Sequence, residues 1–318
     1  MPRNSRVERL LPSIGNLTAE ECSKLKQALK ERESQVEGSV VLQGRAENIK
    51  GCPHCGSVSF QKWGRYNGNQ RFRCRDCAKT FSPITGTPLA GLRYQERHIA
   101  NAHCMVAGMT VRQTALALGV SVPTAFRWRH RFLDAMSRAN PNELSGIVEA
   151  DETFFRESFK GQKKNLPRPA KRRGEPASQR GLSREQIPVL VARDRSTGKT
   201  LTKVIPSRSA KDIGKALVPA LAMDVVLCSD NASAYRTLAR ALGIELRCLP
   251  ANPKKRRKGE VYHIQNVNAY DSRLKGWMFR FRGVATKNLP NYLGWHRFLD
   301  EPSRKPTPRK FLTEALGD

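Results

Sequence analysis

Two carboxylates and an amide, Asp151, Asp230 and Asn268, are the residues of this chain best suited to holding a divalent metal. Asp151 follows the apolar run GIVEA and Asp230 follows VVLCS, so each reads as the polar end of a buried strand. Oxygen ligands at the ends of neighbouring strands suit Mg2+, which keeps several waters and needs only two or three protein oxygens. The setting is a chain of 318 residues with 57 Lys and Arg against 28 Asp and Glu, a formal net charge of +29. Metal ligands in so basic a chain point to phosphoryl transfer on a nucleic-acid backbone. Taken singly, Asp151 reads equally well as a turn or cap residue, and Asp230 as an Asx turn with Asn231. The three together argue for a site.

The third position lies on the segment NVNAYDSRLKGWMFRFRG. At helical spacing Val267, Tyr270, Leu274, Met278 and Phe281 form one apolar stripe. Asn268, Lys275 and Arg282 fall on a neighbouring face, each two turns from the next. An amide oxygen there can complete a metal shell, and the Lys275 ammonium can hold a DNA phosphate. Asp271, a true carboxylate at the edge of the stripe, ranks second for the third ligand. Tyr235 and Tyr270 read as core residues rather than as covalent nucleophiles.

These residues need a scaffold. Over 146–300 the strand candidates IVEADETFF, PVLVARD, LTKVIP, VVLCSD and ELRCLP alternate with helix candidates KDIGKALVPALA, SAYRTLARALG and QNVNAYDSRLKGWMFRF. That order predicts an α/β domain, a mixed sheet flanked by helices. A segment rich in Lys, Arg, Pro and Gly over 156–187 interrupts it and reads as a basic insertion disordered without DNA. A second basic run covers 252–260. The stretch after Asp300 reads as irregular.

Two modules precede this domain. Cys52 and Cys55 form one CxxC knuckle, and Cys74 and Cys77 another, with a hairpin turning at Asn67-Gly68 between them. Four thiolates close a tetrahedral zinc and leave no open position, so the zinc is structural. Arg65, Arg71 and Arg73, interleaved with Trp63, Tyr66 and Phe72, suit phosphate contacts and stacking. Next, MTVRQTALALGVSVPTAFRWRHRFLDAM reads as a helix-turn-helix, its second helix opening at the N-cap Ser121. Thr124, Arg127, Arg129, His130 and Arg131 are placed to reach a major groove, and at least one of Phe126 and Trp128 belongs to the core. Residues 17–34 read as a short helix with Thr18 and Glu21 as a capping box.

The whole plan resembles bacterial insertion-sequence transposases of the ISXO-like family. The resemblance covers about 45–298. It rests on CPHCG, RFRCRDCAKTFSPITGTPLAG, TAFRWRH, VEADET, LCSDNASAY and HIQNVNAYDSRLKGWMFRFRG. It implies a ribonuclease-H-like catalytic core with a DDE-type metal site. Family members often carry Glu at the position of Asn268, with Lys seven residues on; this chain has Asn268 and Lys275, the DDNK variant. Loss of one negative ligand should weaken metal binding.

The domains expected are an N-terminal helical segment (1–47), a zinc ribbon (48–90), a helix-turn-helix (91–140), the catalytic domain (141–300) and a tail (301–318). The function expected is binding of terminal inverted repeats, Mg2+- or Mn2+-dependent cleavage, and strand transfer into target DNA. Two double-stranded ends imply a homo-oligomer in the DNA complex. The rival readings are an inactive DNA-binding regulator and a nuclease that cuts without joining. A membrane partner is disfavoured, because there is no run of about 18 apolar residues. No hydrophobic signal core opens the sequence, so a cytoplasmic, nucleoid-associated protein is expected.

Overall fold

The structure is a computed structural model. It describes residues 6–66, 68–162, 164, 166, 183, 185–230, 233–249, 261–301 and 305–317. The run 252–260, most of the basic insertion and the residue Asn67 of the expected turn lie outside the described residues.

Helix α1 covers Arg6–Ile14 and α2 covers Ala19–Glu47. Thr18 starts α2 through the expected capping box, its hydroxyl accepting the Glu21 N–H while the Glu21 carboxylate accepts the Thr18 N–H at 2.8 Å. The helix outruns the expected end at 34. Nothing in the next turns breaks it, and its last third finds tertiary support, with Val41 buried in a core shared with later helices. Strands β1 (Phe60–Tyr66), β2 (Asn69–Cys74) and β3 (Thr80–Phe81) form a small antiparallel sheet around Phe60, Phe72 and Phe81.

Three helices follow: α3 (His98–Val106), α4 (Val111–Leu118) and α5 (Val122–Arg138). Gly119 ends α4 at φ +59, a left-handed conformation that permits the tight turn. Ser121 caps α5 by accepting the Thr124 N–H. Trp128 is buried and Phe126 exposed, which settles their division of labour.

The second half is one five-stranded sheet in the order β6-β5-β4-β7-β8, built from β4 (Ile147–Arg156), β5 (Gln186–Asp194), β6 (Thr200–Val204), β7 (Val226–Asp230) and β8 (Glu245–Leu249). The first three pair antiparallel; β7 runs parallel to β4, and β8 parallel to β7. A central first strand, an antiparallel meander on one side and two parallel strands on the other make a ribonuclease-H-like fold. Helices α6 (Ala210–Leu217) and α7 (Ser233–Leu242) cover one face, packing Ile213, Leu217 and Tyr235 on Val148, Ala150 and Leu227. Helix α8 (Gln265–Phe279) covers the other, packing Val267, Tyr270 and Leu274 on Val189, Val191 and Cys228.

Two helices were not legible as such: α9 (Leu289–Asp300) and α10 (Pro308–Leu316). The expectation of an irregular tail is corrected by α10, which buries Phe311, Leu312, Ala315 and Leu316 against α3 and α5. Helix α9 fastens the helix-turn-helix to the sheet domain, touching both α5 and β6. Arg297 of α9 donates to the carbonyls of Met136 and Ala139, each at 2.7 Å, at the end of α5. Gly294 of α9 lies so close to α5 that an added Cβ would sit 2.3 Å from the Met136 carbonyl oxygen. Gly294→Ala should therefore force these helices apart and cost about 1–3 kcal/mol, read as a lower thermal midpoint; an unchanged midpoint would show that the junction is pliable.

Candidate metal centre and nucleic-acid interface

The pleat decides which acids share a face. The parallel register pairs Ala150 of β4 with Ser229 of β7, so the next residues outward, Asp151 and Asp230, stand side by side. Alternation puts Asp151 and Asp230 on the face that α8 covers. Asp151 Oδ1 accepts the Glu152 N–H at 2.8 Å. Burial, aided by the charges of Glu152 and Asp230, nevertheless pushes its carboxyl up to about 6. Glu152 points to the opposite face, where it accepts the Tyr235 hydroxyl at 2.5 Å and the Arg208 Nε at 2.6 Å. Arg208 Nη2 lies 3.7 Å from Asp230 Oδ2, so one guanidinium bridges the two acids.

Helix α8 brings the third element. Asn268 is half-buried in its first turn, and Asp271, one turn on, is buried. Among the described residues, Asp271 Oδ1 has no hydrogen-bond partner. Burial and the nearby charge of Asp151 push the Asp271 carboxyl up to about 7, with Lys275 opposing. Buried acids that repel one another, one with an orphaned oxygen, would gain from the countercharge of a divalent cation, although the oxygens of Asp151, Asp230 and Asp271 do not all lie within 4.8 Å of one another as the ribbon's sulfurs do. Asp271, ranked behind Asn268 in the sequence, is the more deeply buried of the two. Lys275 is exposed on the next turn. Arg282 departs from its expected place, because α8 ends at Phe279 and Arg282 sits beyond it at φ +50, stacked on the Phe279 ring.

These shifts have a sign. A carboxyl raised above its ordinary value binds its proton more tightly folded than unfolded, so its contribution to stability falls as pH rises from about 4 to 7. Removing the charge relieves the penalty. Metal-free Asp271→Asn protein should therefore melt about 2–4 °C higher than the parent at pH 8, with the gain vanishing near pH 4. A gain that persists unchanged at pH 4 would contradict the assignment.

At the ribbon, the four Sγ atoms of Cys52, Cys55, Cys74 and Cys77 lie within 4.8 Å of one another. Cys52–Cys77 is 3.7 Å and Cys55–Cys74 is 3.6 Å. Sulfurs placed tetrahedrally at about 2.3 Å from zinc stand about 3.8 Å apart, so the donor set fits. The N–H of Cys77 and that of Asp76 point at Cys74 and lower its thiol to about 7. Arg65 is exposed on β1; Arg71 donates to the Thr80 hydroxyl at 3.3 Å; Arg73 stacks over Trp63 at 4.7 Å.

On α5, Arg127 is exposed, while Ser121 and Thr124 share a 2.9 Å contact at the helix start. Arg131 turns inward instead, donating to the carbonyls of Pro88 and Ala90. Arg129 is also buried, bonded to the Met109 carbonyl at 2.6 Å and set over Trp295. Both were expected at a groove; the geometry makes Arg129 and Arg131 fasteners. Sequence reasoning also passed over Glu149, Glu152, Arg195 and Arg208. The alternation Glu149-Asp151 within VEADET was the available signal for the first of them.

A ribonuclease-H-like sheet with Asp151 midway along β4, beside Asp230 at the end of β7, points to the general class, a nucleic-acid-processing core. The chain's relatives narrow it. Residues 143–298 match the ISXO2-like transposase domain family (IS1595), and 94–137 match the homeodomain-like domain family. The chain thus carries an ISXO2-like transposase domain behind a homeodomain-like helix-turn-helix. An uncharacterized protein in transposable element ISH50 of Halobacterium salinarum is 28% identical over 273 residues, covering 84% of this chain and 91% of that protein. Among solved structures, the BIV integrase catalytic core is 17% identical, covering 48% of this chain and 81% of that one, with a TM-score of 0.27. The pre-cleavage Mos1 transpososome is 14% identical, covering 69% and 78%, with a TM-score of 0.23. Strand order, rather than these scores, defines the fold. Among the described residues no helix is long and apolar enough to cross a membrane.

Proposed function

We propose that this chain is a DDE/N-type transposase that binds the terminal inverted repeats of its element, nicks the transposon ends and joins them to target DNA. The observation that carries this reading is Asp151 beside Asp230 under α8, whose Asp271 keeps a buried oxygen unpaired. Bound Mg2+ or Mn2+ would supply charge neutralisation at the scissile phosphate and a nucleophile of lowered pKa. Asp151 and Asp230 would hold the metal from the sheet. Helix α8 supplies the third position, with Asn268 offering a neutral oxygen and Asp271 the negative charge. Lys275, exposed one turn on, holds a phosphate of the reacting strand.

The ribbon, through Arg65, Arg71 and Arg73, and the helix-turn-helix, through Ser121, Thr124 and Arg127, grip the terminal repeat. Arg282 adds a backbone contact beyond α8. Two ends must meet, so the working form is an oligomer on DNA, acting in the cytoplasm on nucleoid DNA. The test is incubation with a labelled terminal-repeat duplex, a target plasmid and Mg2+. Nicked ends and joined products are expected. Tight binding without nicking would instead mark a regulator, and cut ends without joined product a nuclease.

A further inference from the structure

Glu149 is wholly buried in the sheet, and a buried carboxylate is tolerated only when its lone pairs are satisfied. Its partners lie in two places. Oε1 accepts Arg195 Nη2 at 2.8 Å, Arg195 Nε at 3.0 Å and Asn266 Nδ2 at 2.8 Å, with His263 Nδ1 3.2 Å away. Oε2 accepts the backbone N–H groups of Asn266 at 2.8 Å and Val267 at 3.1 Å. A carboxylate offers about four lone-pair sites. This one is saturated, which excludes Glu149 as a further metal ligand.

The two amides it holds belong to the first turn of α8, where N–H groups have no acceptor within the helix. A local Ser, Thr, Asp or Asn normally caps such a turn. Here the N-cap is Ile264, which makes no side-chain cap among the described residues. The cap comes from β4 instead. It also places a negative charge at the positive end of the helix. A local cap would end the helix but leave its offset from the sheet undetermined; a cap from β4 sets both. Glu149 lies two residues before Asp151 on the same strand face, about 7 Å along the strand. It grips α8 at Asn266 and Val267, immediately before Asn268 and within five residues of Asp271. Arg195 braces the same approach, donating to the carbonyls of Val261 and, at 3.1 Å, His263.

We infer that Glu149 is a positioning residue: it pins the start of α8 to β4 and thereby fixes how far the oxygens of α8 stand from Asp151. The inference rests on the metal-site reading proposed above. Without the pin, α8 keeps its apolar stripe on the sheet but gains freedom to slide by a fraction of a turn. The acid pair and the helix ligands then meet a cation only after reordering.

The experiment compares full-length parent, Glu149→Gln, Glu149→Asp and Asp151→Asn. Three properties are read: amide hydrogen exchange in the first turn of α8 without metal, the Mn2+ concentration that half-saturates the thermal upshift, and DNA cleavage. Glu149→Gln keeps the shape but presents an amide where only acceptors fit. It should exchange about tenfold faster at the start of α8, need about tenfold more Mn2+, and recover most cleavage at saturating metal. Glu149→Asp, which keeps the charge but is one methylene shorter, should fall between Gln and parent. Folded variants with parental exchange and metal response would overturn the pin. So would loss of cooperative unfolding in both variants, which would make Glu149 an ordinary core ion pair. If Asp151→Asn also keeps the parental metal response, it is the metal-site reading that has failed.

Discussion

Asp151→Ala and Asp230→Ala proteins should each lose metal-dependent strand cleavage by about a thousandfold or more while binding terminal-repeat DNA as the parent does. The magnitude follows from what the pair does together. A divalent cation at a phosphoryl centre contributes several kcal/mol of charge stabilisation, and about 4 kcal/mol is about a thousandfold in rate. Asp151 and Asp230 stand side by side, one step beyond the Ala150–Ser229 pair of two parallel strands, so removing either takes one wall from the proposed metal site. DNA affinity should survive, because the exposed arginines of the ribbon and of α5 lie on other elements. Arg208 sharpens the test. In Asp230→Ala its guanidinium stays bonded to Glu152 at 2.6 Å but loses its second carboxylate, which leaves the edge of the site more positive. That variant should therefore respond to Mn2+ less than Asp151→Ala does. Gel assays over a metal series read both effects. Cleavage within tenfold of parent in either variant would remove the aspartate pair from the mechanism.

What the sequence disclosed, and what it hid, divide along the range of the interactions involved. The strands of the sheet were legible because β4, β5 and β7 are buried on both faces and read as apolar runs ending in acids. The cap at Thr18, the turn at Gly119 and the cap at Ser121 were legible because each is settled within four residues. The arginines of α5 were not. Their spacing is that of a groove-reading helix, but Arg129 and Arg131 are claimed by carbonyls 20 and more residues away. Helix α10 was hidden by a start rich in Pro, Arg and Lys, and only its partners α3 and α5 make a core of Phe311 and Leu312. At the candidate site the aspartates were visible, whereas the pairing of Glu149 with Asn266 spans 117 residues. Asp271 was visible as a carboxylate, but its buried, partnerless oxygen emerges only when α8 is laid on β4.

Zinc removal should produce the second large effect, and on binding rather than chemistry. The ribbon is a module of about 30 residues, below the size at which an apolar core alone sustains a fold. Its core is little more than Phe60, Phe72 and Phe81, so closure by four sulfurs carries the rest. Cys74→Ser should release zinc and unfold β1–β3, while the sheet domain, with its separate cores on both faces, keeps its own cooperative transition. With Arg65, Arg71 and Arg73 no longer held in one surface, terminal-repeat affinity should fall by about tenfold to a hundredfold. The slope of affinity against salt should flatten by about one for each phosphate that the ribbon no longer neutralises. Acid should mimic the mutation. Zinc binds thiolates, so protons compete with it for the four sulfurs and zinc retention should weaken as pH falls. A chromogenic zinc-release assay beside gel shifts at several salt concentrations measures all three. Unchanged affinity after complete zinc loss would leave the ribbon without a part in DNA recognition, and the helix-turn-helix would have to carry it alone.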